Sequence, residues 1–577
     1  MLFHIRAPRL FQLVRGRPLS TTSPSRLTRR PRVLVLSSAL ATSVLGYAFY
    51  ADASSTTPAS SDTRTLSGLV RAYVTYGICS ITPLVDAAPS LLDFLFGIPG
   101  LTNVVQSSIR ATFFHQFVGA ETAHDALPLL AALRAENKGV LFAYSVEVDH
   151  NEAVGHASGG REYVRERIVK EIITSINVAA DFEDGMDGSK SRELGRRTWV
   201  AVKLTGMLAN AHPLINLSTY LTNTRPPLEP PVPFPGTPFS SDLSILHSSI
   251  PTGTITESDI HDLKDLYNDL VQICTVAADR GVRVVIDAEH SWYQPAIDAY
   301  GHALMERFNK LPLSSTSTTE VTYDRVQPLV YVTYQAYLRR TPAHLAHSLA
   351  RARAGGYALG VKLVRGAYHP QELAAHQLAR SATSSRSQTG STSSHHSHLC
   401  SISPDLEPPV QPSKEVTDMC YNACAASLID AISSDIHRSG RSGAPGIGVL
   451  FGTHNWTSGE FILDEIARKG LGTVEHAGND EVQEDMVRIP LEVGERITIA
   501  QLYGMSDALT NHLVSRVRCE APCVLKYVPY GALVEVMPYL SRRAIENKSV
   551  LGAGGATRER KEAAALIWKM LKGLIWL

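Results

Sequence analysis

The sequence predicts an α/β protein whose main domain is a (β/α)8, TIM-like barrel, with an N-terminal helical arm and disordered insertions. Three observations carry this. Eight short apolar or β-branched runs are spread between Val140 and Tyr527, each followed by a helix-like stretch, which is strand–helix alternation. The runs are almost continuously apolar, as in parallel strands covered on both faces. Eight such units favour a closed barrel over an open doubly wound sheet. No G-x-G-x-x-G follows the first run, which weakens the dinucleotide-binding alternative.

The chain has 577 residues, 44% of them hydrophobic, and a formal net charge of zero. That length suits two to four domains, or one barrel with insertions. The balanced charge gives no electrostatic reason to expect a nucleic-acid partner. It hides an asymmetry: residues 1–51 hold eight Arg and neither Lys nor acid, so the remainder carries 0 − 8 = −8. An Arg-rich, Ser/Thr-bearing, acid-free segment reads as a mitochondrial transit peptide, here residues 1–52. Within it, Val33 to Tyr50 is uncharged over 18 residues, a marginal length for a membrane span. The seven Cys include two C-x-x-x-C pairs, Cys420/Cys424 and Cys519/Cys523, with no zinc-ribbon spacing. They read as reduced, mostly buried thiols of a matrix or cytosolic protein.

Residues 53–136 form a linker and a helical arm. Leu66, Leu69, Val70 and Tyr73 start one helix, Thr102 to Phe117 reads as another, and Pro83, Pro89 and Pro99 punctuate the segment. The barrel occupies 137–560. Its eight runs are Val140–Tyr144, Trp199–Leu204, Val282–Asp287, Leu329–Gln335, Leu359–Val364, Gly448–Gly452, Ile497–Leu502 and Cys523–Tyr527. Insertions fall at about 224–251 (Pro-rich), 313–322 (Ser/Thr-rich), 381–413 (Ser/His/Pro low complexity) and 475–495 (acidic). The third lacks the residues to bury a core. Its His395, His396 and His398 could bind a metal, but a floppy Ser-rich loop argues against it, so no metal site is expected. Residues 561–577 read as a C-terminal helix with Trp568 and Trp576, able to cover the core, touch a membrane or face a partner.

In such a barrel the chemistry sits at the C-terminal ends of the strands. Polar residues stand there: Lys203, Asp287, Gln335, Lys362, Arg365, His454, Asn455, Gln501 and Tyr527. A single charge in an apolar strand is most often a structural ion pair. Several converging on one rim are better explained by a ligand site. No acid–base pair stands out for hydrolysis, and no Cys/His or Ser/His/Asp order for nucleophilic catalysis. Lys362, Arg365, Gln335, His454 and Asn455 are donors suited to an anionic or heteroaromatic cofactor. Lys203 offers a competing class, a Schiff-base aldolase, and a binding or scaffold barrel is a third. Beyond the last strand, Tyr539, Arg542, Arg543 and Glu546 fall at i, i+3, i+4 and i+7 of a helix and share one face. Two arginines suit a bidentate grip on a small carboxylate. By itself the face reads more readily as a surface ladder in which Glu546 serves both.

Several stretches together resemble the proline dehydrogenase family. They are Val202-Lys203-Leu204-Thr205, Ile286-Asp287-Ala288-Glu289, Gln335-Ala336-Tyr337, Val361 to Tyr368, Gly452-Thr453-His454-Asn455, Gln501 to Met505, and Tyr539 to Asn547. They occur in the family's order from about Val140 to Asn547, between the insertions. The resemblance implies a distorted (β/α)8 barrel with noncovalent FAD at its rim. It implies oxidation of L-proline to Δ1-pyrroline-5-carboxylate, the first step of proline catabolism, with electrons passed to ubiquinone at the matrix side of the inner mitochondrial membrane. Arg542 and Arg543 match the arginines that hold the proline carboxylate, Tyr527 and Tyr539 the tyrosines around its ring, and Leu502 an apolar contact. Lys203, Asp287 and Glu546 match residues that line or gate the pocket and orient the arginines. Gln335, Lys362, Arg365, Gly366, Ala367, Thr453, His454, Asn455 and Gln501 fall in the flavin-contacting motifs. Lys362 stands where many bacterial members have Arg, and donates there as a point charge without the fork.

Overall fold

The structure, a computed structural model, describes residues 65–145, 161–187, 196–248, 254–312, 327–389, 401–439, 444–476, 485–547 and 555–575. The expected transit and membrane segments, the 313–322 insertion and the His395–His398 cluster lie outside these residues. Eight parallel strands close a barrel in chain order: β1 (Lys138–Tyr144), β2 (Thr198–Val202), β3 (Val284–Ile286), β4 (Val330–Gln335), β5 (Leu359–Val364), β6 (Ile447–Gly452), β7 (Ile497–Leu502) and β8 (Val524–Tyr530). β8 pairs back onto β1 from Lys138↔Val524 to Tyr144↔Tyr530.

The period of two along each strand divides the core. Leu141, Trp199, Val285, Tyr331, Leu450, Ala500, Leu525 and Tyr527 point inward and form one cluster. Val200, Val284, Val330 and Val361 face out and pack under the helices. Large and small interior residues alternate. A Cβ on Gly360 would come within 2.2 Å of the Val330 carbonyl oxygen, and one on Gly448 within 2.2 Å of Tyr331 Oη. Tyr331 therefore fills the space that these two glycines leave. The covering helices carry ordinary end signals. Helix Glu257–Arg280 begins with a capping box between Thr256 and Asp259 and ends at Gly281 with φ 65°, the left-handed stop that glycine adopts without penalty.

A second core fixes the helical arm to the rim. Helix Leu66–Cys79 contributes Ala72 and Tyr76, and residues 114–117 contribute Phe114 and Phe117. Both meet Val536, Tyr539 and Leu540 around helix Met537–Glu546. The Gly504 carbonyl accepts from Gln116 Nε2 at 2.9 Å and from Tyr76 Oη. Helix Gly555–Ile575 packs on the arm through Leu566, Ile567 and Leu69.

Three expectations change. The 102–117 helix is not continuous: helix Thr102–Ile109 passes through a π-helical stretch, Arg110–Phe114, before His115–Phe117. Residues 224–248 and 401–413 are packed, not excluded from the core. Arg225 pairs with Asp242 at 2.6 Å, and Val410 is buried against Tyr337, Leu338 and Tyr368. Asp405 accepts from the Phe234 amide at 2.9 Å, so the two stretches support each other, a long-range contact that local composition does not show. Around the acidic stretch, Thr473–Glu475 and Met486–Arg488 pair antiparallel, and Val517–Arg518 joins the second of them.

Candidate active site

The inward parity of the strands continues past their ends. Lys203, Asp287, Gln335, Lys362, Leu502 and Tyr527 keep the register of interior residues two or four positions earlier, such as Ala201, Val285 and Tyr331. At the centre is Asp287, one residue beyond β3. Lys362 Nζ donates to its Oδ1 at 2.5 Å and Tyr527 Oη to its Oδ2 at 2.8 Å. Lys362 Nζ also lies 4.9 Å from the centroid of the Tyr527 ring. All three side chains are buried. Such a pair is tolerated in a dry interior only when every charge has a partner. Asp287 thus fixes Lys362 and Tyr527.

The helix Met537–Glu546 lies over this rim. Arg543 is 4% exposed, so the surface-ladder reading of this face does not hold for it. Its Nη2 donates to Glu546 at 2.5 Å, its guanidinium stacks 4.9 Å from the Tyr539 ring, and its Nε has no acceptor among the described residues. Arg542 takes a different direction. Its Nη1 donates to Tyr368 Oη at 3.1 Å, and it lies 5.3 Å over that ring. Glu546 thus steadies Arg543, while Tyr368 steadies Arg542.

The far side of the rim carries the donors and acceptors expected to meet a cofactor. Arg365 donates to Thr453 Oγ1 at 2.8 Å and Ser458 Oγ at 2.7 Å, and pairs with Asp418. Asn455 caps helix Trp456–Arg468 through the Ser458 amide at 3.3 Å. The His454 ring accepts the Leu502 amide at Nε2 (3.4 Å), so its proton sits on Nδ1, facing Ser506 Oγ at 3.0 Å. Burial, with Lys526, Arg543 and Arg365 nearby, pushes His454 down to about 3; it is neutral whenever the protein is folded near neutral pH. Gln335 and Gln501 are buried, and the Oε1 of each has no donor among the described residues. Gly366 has φ 115°, and a Cβ there would strike the Tyr337 ring at 2.3 Å; Ala367 packs beside it against the cluster of Tyr337, Leu338 and Tyr368.

Lys203 is half-buried and lines a small recess with Tyr144, Ile168 and Gly206. Leu502 joins the lid core at the end of β7. Sequence reasoning gave no role to several neighbours. His290 stacks on Trp292 with centroids 4.2 Å apart and on Tyr368 at 4.0 Å. Glu372 is fully buried and accepts from the Ser291 amide at 2.7 Å. Lys526 pairs with Asp507 at 2.7 Å. The one available signal was position: His290 directly follows the Ile286–Glu289 stretch, and Tyr368 ends the Val361–Tyr368 stretch.

The model of the family described as "Proline dehydrogenase" matches residues 132–391 and 401–553. "Proline dehydrogenase 1, mitochondrial" of Dictyostelium discoideum is 27% identical over 82% of this chain and 68% of its own length. "Proline dehydrogenase 2, mitochondrial" of Arabidopsis thaliana is 27% identical over 86% and 87%. "Hydroxyproline dehydrogenase" of Mus musculus is 25% identical over 88% and 91%. All eight strands and the lid helix lie within the matched residues, and the chain belongs to the proline dehydrogenase family.

Proposed function

We propose that this chain oxidises L-proline to Δ1-pyrroline-5-carboxylate with FAD, and that the electrons pass to ubiquinone at the matrix side of the inner mitochondrial membrane. The observation that carries the substrate is the buried Arg543, with one N–H left without an acceptor. A buried guanidinium needs an anion beyond its half-exposed partner Glu546, and a substrate carboxylate supplies one. Arg542, Tyr539 and Tyr527 complete a clamp for a small ring bearing that carboxylate.

The residues on the far side of the rim fit FAD. Gln335 and Gln501 each present a buried acceptor without a donor among the described residues, and Arg365 with Asn455 offers donors to an anion or a heteroaromatic edge. Gln335, Lys362, Arg365, Gly366, Ala367, Thr453, His454, Asn455 and Gln501 would hold it. When bound, the flavin supplies the hydride acceptor. The chain's own share is orientation: the arginines fix the carboxylate, so they fix which ring carbon faces the cofactor. Asp287 holds the Lys362 ammonium and the Tyr527 ring in place. Lys203 remains a pocket-lining residue in this reading.

L-Proline is favoured over 4-hydroxyproline because a bulky phenol such as that of Tyr539, which is buried in the lid, would crowd a ring hydroxyl. The experiment is a spectrum. Purified full-length protein should be yellow, and anaerobic L-proline should bleach it faster than 4-hydroxyproline does. Colourless protein, or a flavin that L-proline does not reduce, overturns the proposal. Borohydride trapping of substrate on Lys203 would support the aldolase class instead.

Membrane contact is supported by the arm. Helix Thr82–Phe96 has one buried residue, Val85, and exposes Leu84, Leu91 and Phe94. Among the described residues no single helix is long and apolar enough to cross a membrane; the pair Leu66–Cys79 and Thr82–Phe96 passes that test together but bends by 91°. Such a bent apolar pair suits lying in an interface rather than spanning it.

A further inference from the structure

The N-terminal end of the barrel, opposite the candidate active site, is closed by buried arginines. Arg197 precedes β2 and is 1% exposed. Its Nη2 donates to the Gly494 carbonyl at 2.9 Å, while its Nε and Nη1 have no acceptor among the described residues. Arg283 stands next to it, before β3, 3% exposed, with its guanidinium 5.0 Å over the Trp199 ring. Burial above all, and Arg197 as well, pushes Arg283 below its usual range. Among the described residues neither guanidinium has a carboxylate at ion-pair distance, and such buried charges are costly unless another anion is at hand.

The C-x-x-x-C pair in the loop entering β8 supplies a candidate. A Cβ on Gly494 would stand 2.7 Å from Cys519 Sγ and 3.7 Å from Cys523 Sγ. Both sulfurs therefore lie against the residue whose carbonyl receives Arg197, and a side chain at 494 would separate them from it. Cys519 is half-buried and reachable, whereas Cys523 is buried. The neighbouring Cys523 thiol above all, then backbone groups and Arg197, outweigh burial and hold Cys519 below its usual range; the Cys523 thiol donates to the Ala521 carbonyl at 3.7 Å. Cys523 is pushed well above its usual range by its bond to Cys519 and by burial. Cys79 and Cys274 have no such partner and are pushed up to about 12. The remaining groups facing the pair are Glu520 through its backbone and, beyond Arg197, Arg283 with Glu495.

We propose that Cys519 and Cys523 form an oxidation site for hydroperoxides, with Cys519 as the attacking thiolate, Arg197 as its counter-ion and Cys523 as the resolving thiol. A low-lying, accessible thiolate beside a cation and a second thiol is the arrangement that oxidises selectively. The Cys519 thiolate attacks one peroxide oxygen and the O–O bond breaks. The departing alkoxide or hydroxide takes a proton from water, and Cys519 becomes a sulfenic acid. The Cys523 sulfur then attacks the Cys519 sulfur. The S–O bond breaks, and the hydroxide leaves as water with the Cys523 proton. In sum, two thiols and one hydroperoxide become a disulfide, an alcohol or water, and a water: the peroxide is reduced and the two sulfurs are oxidised.

The test is peptide mass spectrometry on the full-length protein. Brief iodoacetamide labelling across a pH series should modify Cys519 half-maximally below the ordinary thiol value of about 8.5, with Cys274 unlabelled. Dilute hydrogen peroxide should convert the Cys519–Cys523 peptide to a disulfide lighter by two hydrogens. Cys523→Ser should instead accumulate a dimedone adduct on Cys519. Arg197→Met should move the labelling midpoint up by about one pH unit, roughly tenfold in thiolate fraction, and Arg197→Lys should restore it. Labelling of Cys519 only above pH 8, absence of the disulfide, or no dimedone adduct in Cys523→Ser overturns the proposal. The last two arms stand even where Arg197→Met fails to fold.

Discussion

Asp287 decides more of the rim than its neighbours do, because two buried side chains depend on it. Asp287→Ala leaves the Lys362 ammonium unpaired in a dry interior, which costs about 3–5 kcal/mol; chemical denaturation should show that loss. Adding Lys362→Met should recover much of the stability, since an apolar pair removes the stranded charge. Arg543→Met acts on binding instead. KM for L-proline should rise by a factor corresponding to about 2–5 kcal/mol, with the flavin absorbance retained; an unchanged KM would remove Arg543 from the clamp. His454 gives a pH prediction. Its folded value is lowered to about 3 from an ordinary value of about 6.5. Between the two, the unfolded chain binds a proton that the folded chain does not. Stability is therefore complete above about pH 6.5 and falls toward pH 3, by up to ~1.4 kcal/mol per pH unit for this one group. Urea midpoints at pH 7 and pH 5 should differ less in His454→Gln than in the parent chain. The strand-end residues were legible because a charge within an apolar run contradicts its surroundings. The Tyr368 and His290 contacts were not, because loops after different strands bring them together.

At the level of elements, the strands were readable to within a few residues, since parallel strands buried on both faces carry an unbroken apolar run. β5 and β7 agree at both ends, while β3 is shorter than its run: Val282 packs in the outer core, Arg283 sits at the barrel floor and Asp287 serves the rim. The packed 224–248 and 401–413 stretches escaped notice because proline and serine read as loop, and loop composition says nothing of what it packs against. The arm's attachment to the lid also escaped notice, and it rests on one turn. Gly504 has φ 70°, and a Cβ there would come within 1.7 Å of the Gln116 carbonyl oxygen. Gly504→Ala should therefore push residues 114–117 away from the lid core. Proteolysis between residues 97 and 117 should become faster, and KM for L-proline should rise while the barrel still melts cooperatively. Unchanged proteolysis would mean that the arm is held elsewhere, through helix Gly555–Ile575.

Across the whole molecule, charge and apolar surface are segregated. Residues 52–577 carry a net −8, yet residues 65–117 and 555–575 together hold seven Arg and Lys against four Asp and Glu, a net +3. That excess comes from the C-terminal helix, where Lys569, Met570 and Lys572 are exposed, whereas the exposed apolar helix Thr82–Phe96 itself carries Asp86 and Asp93 and no base. An apolar patch beside excess positive charge on an otherwise acidic protein suits an anionic bilayer, where each Lys or Arg near the surface contributes about 1 kcal/mol. The same arm packs against the lid helix, so membrane contact would bring the substrate gate close to a lipid-soluble electron acceptor. The full-length protein should sediment with vesicles containing anionic phospholipid and much less with neutral ones. Leu91→Glu/Phe94→Glu should abolish that sedimentation, because both side chains are exposed and neither supports the core. Flavin reduction by L-proline should stay as it was, since neither residue reaches the rim. Equal sedimentation of the double variant would assign membrane binding to the segment before residue 65. A parent dimer that the double variant splits, without vesicle binding, would make this face an interface between copies of the chain.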